Sequence, residues 1–313
     1  MEHFLLCWNG IAPLLVLILL GYGLKRWRLV PQEGFAALDK LCFRILIPAM
    51  LFCNVYSADF SREFHLGAVL FMELAMTGVF LAMFVLVPRL VPGRREEAAT
   101  LVHGLCHGNL AVLGMPLMLN LFGQEQAAVY SILMACTSPL INPLMVFEHV
   151  YFQGDRPRPG RLLKNMLSSP FLVGTLAGLF CNLLGLRLPD FLYSAASGLR
   201  SAASPLCLVA LGGSFSFGGI RDCFWEVAGC VLGRCVLLPA AVLGIAVALG
   251  FRGIVLASLL VIFCCPSAAA TYSFCAGYCG SPALASQIVV YSTLSSLFSL
   301  FCWLFAFLRL GLL

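Results

Sequence analysis

Hydrophobic residues crowd into ten stretches of the chain, each close to the ~20 residues that a helix needs to cross a bilayer, and polar residues gather in short loops between them. The stretches fall near 4–24, 36–56, 66–88, 98–121, 127–151, 166–186, 192–214, 223–249, 254–277 and 284–309. The longest polar connector, Phe152 to Asn165, carries Asp155, Arg156, Arg158 and Arg161 among prolines and glycines, and leaves five stretches on either side.

Two stretches break the pattern. Within the fourth, His103 to Asn120 holds two histidines, two asparagines, Gly104, Gly108, Gly114 and Pro116. Pro116 has no N–H for the carbonyl of residue 112, and the glycines lower the cost of leaving helical geometry. In hydrocarbon a freed backbone group costs several kcal/mol unless protein, water or ligand satisfies it, so an opened helix at membrane depth is expected to line a cavity. A proline-kinked, closely packed helix is the plainer alternative. In the ninth stretch, Phe263 to Gly277 is likewise broken by Pro266 and rich in small and hydroxylated residues.

Composition agrees with a polytopic membrane protein: of 313 residues 61% are hydrophobic and 11% charged, against a soluble norm near ~25% charged. The run from Phe4 to Leu24 is too long for a signal-peptide core and lacks a small-residue cleavage site, so it is expected to be a span. The net charge of +5 sits in short loops and does not point to nucleic acid. Loops after spans one, three, five and seven hold eleven Lys and Arg, among them Lys25, Arg94, Arg156 and Arg221; the other side holds Arg62, Arg187, Arg252 and Arg309. The positive-inside rule makes the odd loops cytoplasmic and puts both termini outside, in a multi-pass cell membrane protein. Fifteen cysteines are scattered through apolar runs without a paired CxxC framework, so metal or redox chemistry and a cofactor are not expected.

An odd number of spans per half means that any repeat must be inverted. Pro13 and Gly21 recur as Pro170 and Gly178 at an offset of 157, which also carries Pro48 onto Pro205. Tyr130-Ser131-Ile132-Leu133 has a counterpart in Tyr291-Ser292-Thr293-Leu294, at an offset of 161. The offset of 157 sets Asn109 opposite Pro266. The expected domains are a first five-helix repeat over 1–151, a cytoplasmic linker over 152–165 and a second, inverted repeat over 166–313. Two interrupted spans at matching places in inverted halves mark a transporter binding site.

Asn109 offers an acceptor and a donor without charge, suited to a carboxylate, a coupling cation or the partner broken helix. Gly108, Gly114, Pro116 and Pro266 would open the backbone and turn half-helix N-termini toward an anion. Ser267, Thr271 and Ser273 could add hydroxyls, or simply bond their own helices. Asn142, beside Pro143, is placed to join a cavity. Arg44, Arg200 and Arg234 fall inside spans, with Glu73 as the chief interior acid. This positive excess favours an anionic substrate, while snorkelling to the interface is the alternative for Arg44. His103 and His107 lie one turn apart and could relay protons or chelate a metal, but no third ligand is apparent in sequence, so no metal is expected. Glu148 and His149 need only be interfacial.

The run Gly108-Asn109-Leu110-Ala111-Val112-Leu113-Gly114-Met115-Pro116 is similar to the Asn-x-Gly-x-x-Gly-x-Pro pattern of the auxin efflux carrier family. Ile47-Pro48-Ala49, Pro205 to Gly212, Arg234 to Pro239, Pro266 to Ala276, Ala283 to Ser286 and Ser292-Thr293-Leu294 also fit, so that the chain resembles a short bacterial-type member over nearly its whole length. Ala111 stands where the family's middle glycine usually sits. The resemblance implies an all-α polytopic membrane protein of ten transmembrane helices in two inverted five-helix repeats, with broken helices four and nine crossing beside the substrate. It also implies a scaffold bundle, a mobile crossover bundle moving in an elevator-like manner, and transport of small organic anions such as malate, malonate or auxin-like acids.

The expected partners are thus a small organic anion, a coupling proton or sodium ion, the lipid bilayer, and a second copy in a homodimer. Proton coupling, exchange and uniport stay open at this level. The alternatives from other classes are a membrane-embedded enzyme, for which the residues supply no nucleophile–base pair, and a receptor-like membrane protein.

Overall fold

The computed structural model describes residues 2–57, 65–154, 170–277 and 279–313. The expected linker and its cations Arg156, Arg158, Arg161 and Lys164, together with Arg62, lie largely outside the described residues, as do the side chains of Asn142 and Ser273. Everything described is helix or short connector. The α-helices are α1 (Glu2–Arg26), α2 (Gln32–Leu41), α3 (Ile47–Tyr56), α4 (Leu66–Leu90), α5 (Arg95–Cys106), α6 (Met115–Gln153) and α7 (Pro170–Leu183). They continue with α8 (Asp190–Ser214), α9 (Phe224–Leu232), α10 (Leu238–Ala248), α11 (Gly253–Cys264), α12 (Ala270–Gly277) and α13 (Pro282–Arg309).

Among the described residues five helical stretches are long and apolar enough to cross a membrane: His3–Arg26, Leu66–Leu90, Asp190–Ser214, Ile220–Ala248 and Pro282–Arg309. At 1.5 Å per residue, 24 to 29 residues reach roughly 36 to 44 Å, more than a hydrocarbon core. The outward side of α4 carries Leu70, Leu74, Leu81 and Val85 while Ala68, Met72, Met76 and Phe80 face inward, so both of its faces are apolar. That is the pattern of a helix packed on protein on one side and lipid on the other.

Three π-turns interrupt the helices, at Cys42–Leu46, Leu110–Gly114 and Gly233–Leu237. Each ends two residues before a proline, Pro48, Pro116 or Pro239. A proline ring crowds the carbonyl four residues back and offers it no N–H, and widening the preceding turn relieves both problems. In α6 the backbone leaves helical geometry at Gly123, φ 75° and ψ 179°, a conformation open to glycine, and so bends between the fourth and fifth expected spans.

The chain forms two compact units that cut across the sequence halves. The first comprises Met1–His65, Ala111–Pro139 and Asn165–Phe215. Within it α1 lies so close to α8 that a Cβ on Gly21 would strike the carbonyl of Val209, and one on Gly212 the carbonyl of Ile18. Likewise α7 lies on α3, where a Cβ on Gly178 would stand 2.6 Å from the carbonyl oxygen of Phe52. Close approach through small residues is how helices gain dispersion contact where lipid offers no hydrophobic drive. Lys25, in the last turn of α1, donates to the Phe215 carbonyl at the C-terminus of α8 at 2.8 Å.

The second unit comprises Leu66–Leu110, Leu140–Lys164 and Ser216–Leu313. Its core gathers Phe80, Val102, Met145, Val227, Cys230 and Ile288 from α4, α5, α6, α9 and α13. At its polar end Arg94 binds Glu226 at 2.6 Å and Glu97 at 3.3 Å.

Candidate functional site

In the second unit two helices stop short and their ends meet. α5 ends at Cys106 and α11 at Cys264. The extended segments that follow pair antiparallel: the Asn109 N–H donates to the Pro266 carbonyl at 2.8 Å, the Ala268 N–H to the His107 carbonyl at 2.8 Å, and Gly108 stands opposite Ser267. Helix then resumes at Leu110 and at Ala270. The pairing supplies some of the hydrogen bonds that broken helices would otherwise lack in an apolar interior.

The last carbonyls of the two half-helices also find partners. In α5 the His103 carbonyl accepts from His107 N–H at 2.8 Å, that of Gly104 from the Ser267 hydroxyl at 2.7 Å, and that of Leu105 from Arg234 Nη1 at 2.9 Å. The same guanidinium reaches the end of α11, donating from Nε to the Cys265 carbonyl at 2.8 Å and from Nη2 to that of Ile262 at 3.4 Å. Arg234 is 3% exposed, so its charge is offset by two helix C-termini, each worth roughly half a negative charge. The π-turn Gly233–Leu237 carries it there. Gly108 is required by the same contact, because a Cβ at that position would occupy the place of Arg234 Nη2.

Two buried polar atoms at the crossing have no protein partner: Asn109 Nδ2 and Thr271 Oγ1. Asn109 is 5% exposed and Thr271 fully buried. A buried donor without an acceptor costs about 1–3 kcal/mol, so such a pair of groups marks a place for a ligand or water.

A second cluster lies beside the end of α5. His103 Nε2 is 3.0 Å from His107 Nδ1, and His103 Nδ1 is 3.0 Å from His149 Nε2. His149 Nδ1 donates to the Cys279 carbonyl at 2.5 Å. Glu148 Oε2 stands 3.8 Å from His103 Nδ1, and neither Glu148 oxygen has a hydrogen-bond partner. His103, Glu148 and His149 are fully buried, and Phe274 lies over the His103 and His149 rings at 4.9 and 5.6 Å between centroids. Cys279, in the connector after α12, has its thiol pKa raised by burial.

The family model described as membrane transport protein matches residues 7–304. The chain belongs to the auxin efflux carrier family of membrane transport proteins. An uncharacterized transporter of Methanocaldococcus jannaschii is 24% identical over 269 residues, covering 83% of this chain and 86% of that protein. One of Methanothermobacter thermautotrophicus is 26% identical over 298 residues, covering 94% and 96%. The protein is therefore a multi-pass membrane transport protein.

Of the residues singled out in the carrier's sequence, Gly108, Asn109, Arg234, Pro266, Ser267 and Thr271 come together in the second unit. Gly114, Pro116 and Arg44 belong to the first unit. The Arg44 side chain is exposed. Glu73, in α4, keeps one buried carboxylate oxygen without a partner. Glu148 and His149 are enclosed by protein, because the far end of α6 packs into the core of the second unit. Their distance in sequence from His103 hides the cluster, and only the run of ionisable residues late in an apolar span signals it.

Proposed function

We propose that the protein is a secondary transporter that carries small organic anions, mono- or dicarboxylates, across the cell membrane by elevator-like alternating access. The observation that carries this reading is the polarity of the crossing. Arg234 offsets the negative ends of α5 and α11, whereas the two helices that resume at Leu110 and Ala270 begin there with their positive ends and no acidic side chain among the described crossing residues. Unpartnered Asn109 Nδ2 and Thr271 Oγ1 add two donors, so a carboxylate is the complementary ligand.

The architecture in this reading is ten spans in two inverted repeats with both termini outside. Close packing in the first unit supports it at residue level. Gly21 approaches Val209, and moving each by the sequence offset of 157 gives Gly178 and Phe52, which make the corresponding approach. At the crossing Asn109 pairs with Pro266, again 157 apart. The unit holding the crossing is the moving body and the Gly21/Gly178 unit the scaffold, which a homodimer would anchor. A proton or sodium ion is the coupling partner to be tested.

Uptake into proteoliposomes, screened over mono- and dicarboxylates under imposed proton or sodium gradients, tests the reading. Saturable carboxylate flux is expected, and Asn109→Ala is expected to abolish most of it while the protein still elutes as a folded species. Undiminished flux in that variant would remove Asn109 from the site; no carboxylate flux under any gradient would overturn the substrate class.

A further inference from the structure

We propose that His103, Glu148 and His149 form a binding site for a divalent transition-metal ion of the zinc type, which braces the end of α5 against the far end of α6 in the second unit. The proposal stands on a different set of side chains from the anion site and does not depend on it.

Donor chemistry comes first. The Cys279 carbonyl can only accept, so His149 Nδ1 carries the hydrogen and a neutral His149 presents the lone pair of Nε2 inward. His103 makes its other contact through Nε2, to His107 Nδ1. With the hydrogen on Nε2, His103 likewise presents the lone pair of Nδ1 inward. Two imidazole lone pairs then face each other at 3.0 Å, with a carboxylate oxygen at 3.8 Å from one of them and all three donor atoms within 4.8 Å of one another. Bonds of about 2.0–2.1 Å to a tetrahedral ion put neighbouring donors roughly 3.3 Å apart, a value that 3.0 and 3.8 Å bracket.

The outer contacts point the same way. A metal-bound histidine ordinarily gives its second N–H to a carbonyl or another acceptor, which fixes the ring and its tautomer, and both rings here have such an acceptor. Glu148 supplies the independent observation. A carboxyl group fully buried with both oxygens unpartnered is a costly arrangement, and a cation removes that cost. A relay of neutral histidines would satisfy the rings yet leave Glu148 unexplained. Its negative charge also limits the net charge of a loaded site near the cationic Arg234. Phe274 covers one side of both rings. Among the described residues no other group of three His, Cys, Asp or Glu side chains has this spacing.

The test uses the full chain, purified in detergent with an affinity tag free of histidine, stripped with a chelator and titrated with Zn²⁺ and Co²⁺. One tightly bound ion per chain is expected by elemental analysis, with tetrahedral d–d bands from Co²⁺ and a higher unfolding temperature in the loaded protein. Glu148→Gln, His103→Gln and His149→Gln should each weaken binding at least about 100-fold. His107→Gln, which touches only a ligand, should weaken it about 10- to 100-fold, and the His3→Gln/His65→Gln double variant should bind as wild type. Should a ligand variant fail to fold, the wild-type titration decides alone. Absence of stoichiometric binding, cobalt–thiolate charge-transfer bands that place the ion on cysteine, or unchanged affinity in folded Glu148→Gln and His149→Gln would each overturn the site.

Discussion

Replacing Arg234 tests whether it holds the crossing together or serves as the direct anion ligand. Arg234→Ala removes the donors to the Leu105 and Cys265 carbonyls, 2.9 and 2.8 Å away, and leaves both oxygens buried at helix C-termini. At about 1.5–3 kcal/mol for each hydrogen bond to a charged group, the loss comes to ~3–6 kcal/mol. Lysine, a point charge on a flexible stem, can reach one of the two, so Arg234→Lys should recover about half. Gly108 supplies the internal control. A Cβ there displaces the guanidinium, so Gly108→Ala should cost ~1–3 kcal/mol in the wild type and almost nothing once Arg234 is alanine. The unfolding free energies of the four proteins in mixed micelles form a double-mutant cycle with an expected coupling of ~1–3 kcal/mol. Additivity within ~0.5 kcal/mol would refute the brace, and so would an Arg234→Lys protein of wild-type stability whose sole defect is a raised KM for the anion.

Thr271→Val keeps the shape of a side chain whose hydroxyl has no protein partner, so its stability should stay within ~1 kcal/mol of wild type while carboxylate flux falls; flux assays beside thermal unfolding check both. Gly21→Ala and Gly212→Ala drive a Cβ into a backbone carbonyl of the facing helix and should each destabilise by ~1–3 kcal/mol or more. Gly198→Ala, in the same helix as Gly212 but with open space around it, should be neutral or mildly stabilising, and equal effects at positions 198 and 212 would sink the close-packing account. Glu226→Gln breaks the contact of an arginine 46% exposed, so no more than ~1 kcal/mol is expected despite the 2.6 Å distance, with little left of the difference at high salt. The Arg94 guanidinium pKa, raised chiefly by its hydrogen bond to Glu226, should fall back in that variant.

The all-helical, membrane-spanning character of the chain is readable because membrane hydrophobicity is a block property that tertiary packing does not have to arbitrate. The breaks in the fourth and ninth stretches were readable from Pro116 and Pro266, though the helices open earlier than Pro116 suggests. α5 already stops at Cys106, and the proline sits after a π-turn, inside resumed helix. What ends α5 is the antiparallel partner strand and Arg234, neither of which is local in sequence. Arg234 itself was legible as an interior charge but not as the partner of Leu105 and Cys265 carbonyls, since nothing in a sequence says which helix ends converge. The cluster at His103 is hidden in sequence for the same reason: its third and fourth members, Glu148 and His149, arrive from a different helix, and burial rather than spacing brings them out.

On the inverted-repeat reading the two halves match in backbone and differ in chemistry. Gly21 and Gly178 make equivalent approaches, as a shared scaffold demands. The residues of the crossing, by contrast, have chemically different counterparts: the offset of 157 sets Asn109 against Pro266, Thr271 against Gly114 and Arg234 against Thr77, whose hydroxyl is spent on the carbonyl of Glu73 in its own helix at 2.8 Å. One cation therefore serves both half-helix ends. This is economical in a bilayer, where each buried charge costs about 2.5–3.5 kcal/mol on the insertion scale. On that reading duplication fixes where the helices break, and substitution after it decides which half supplies the donors.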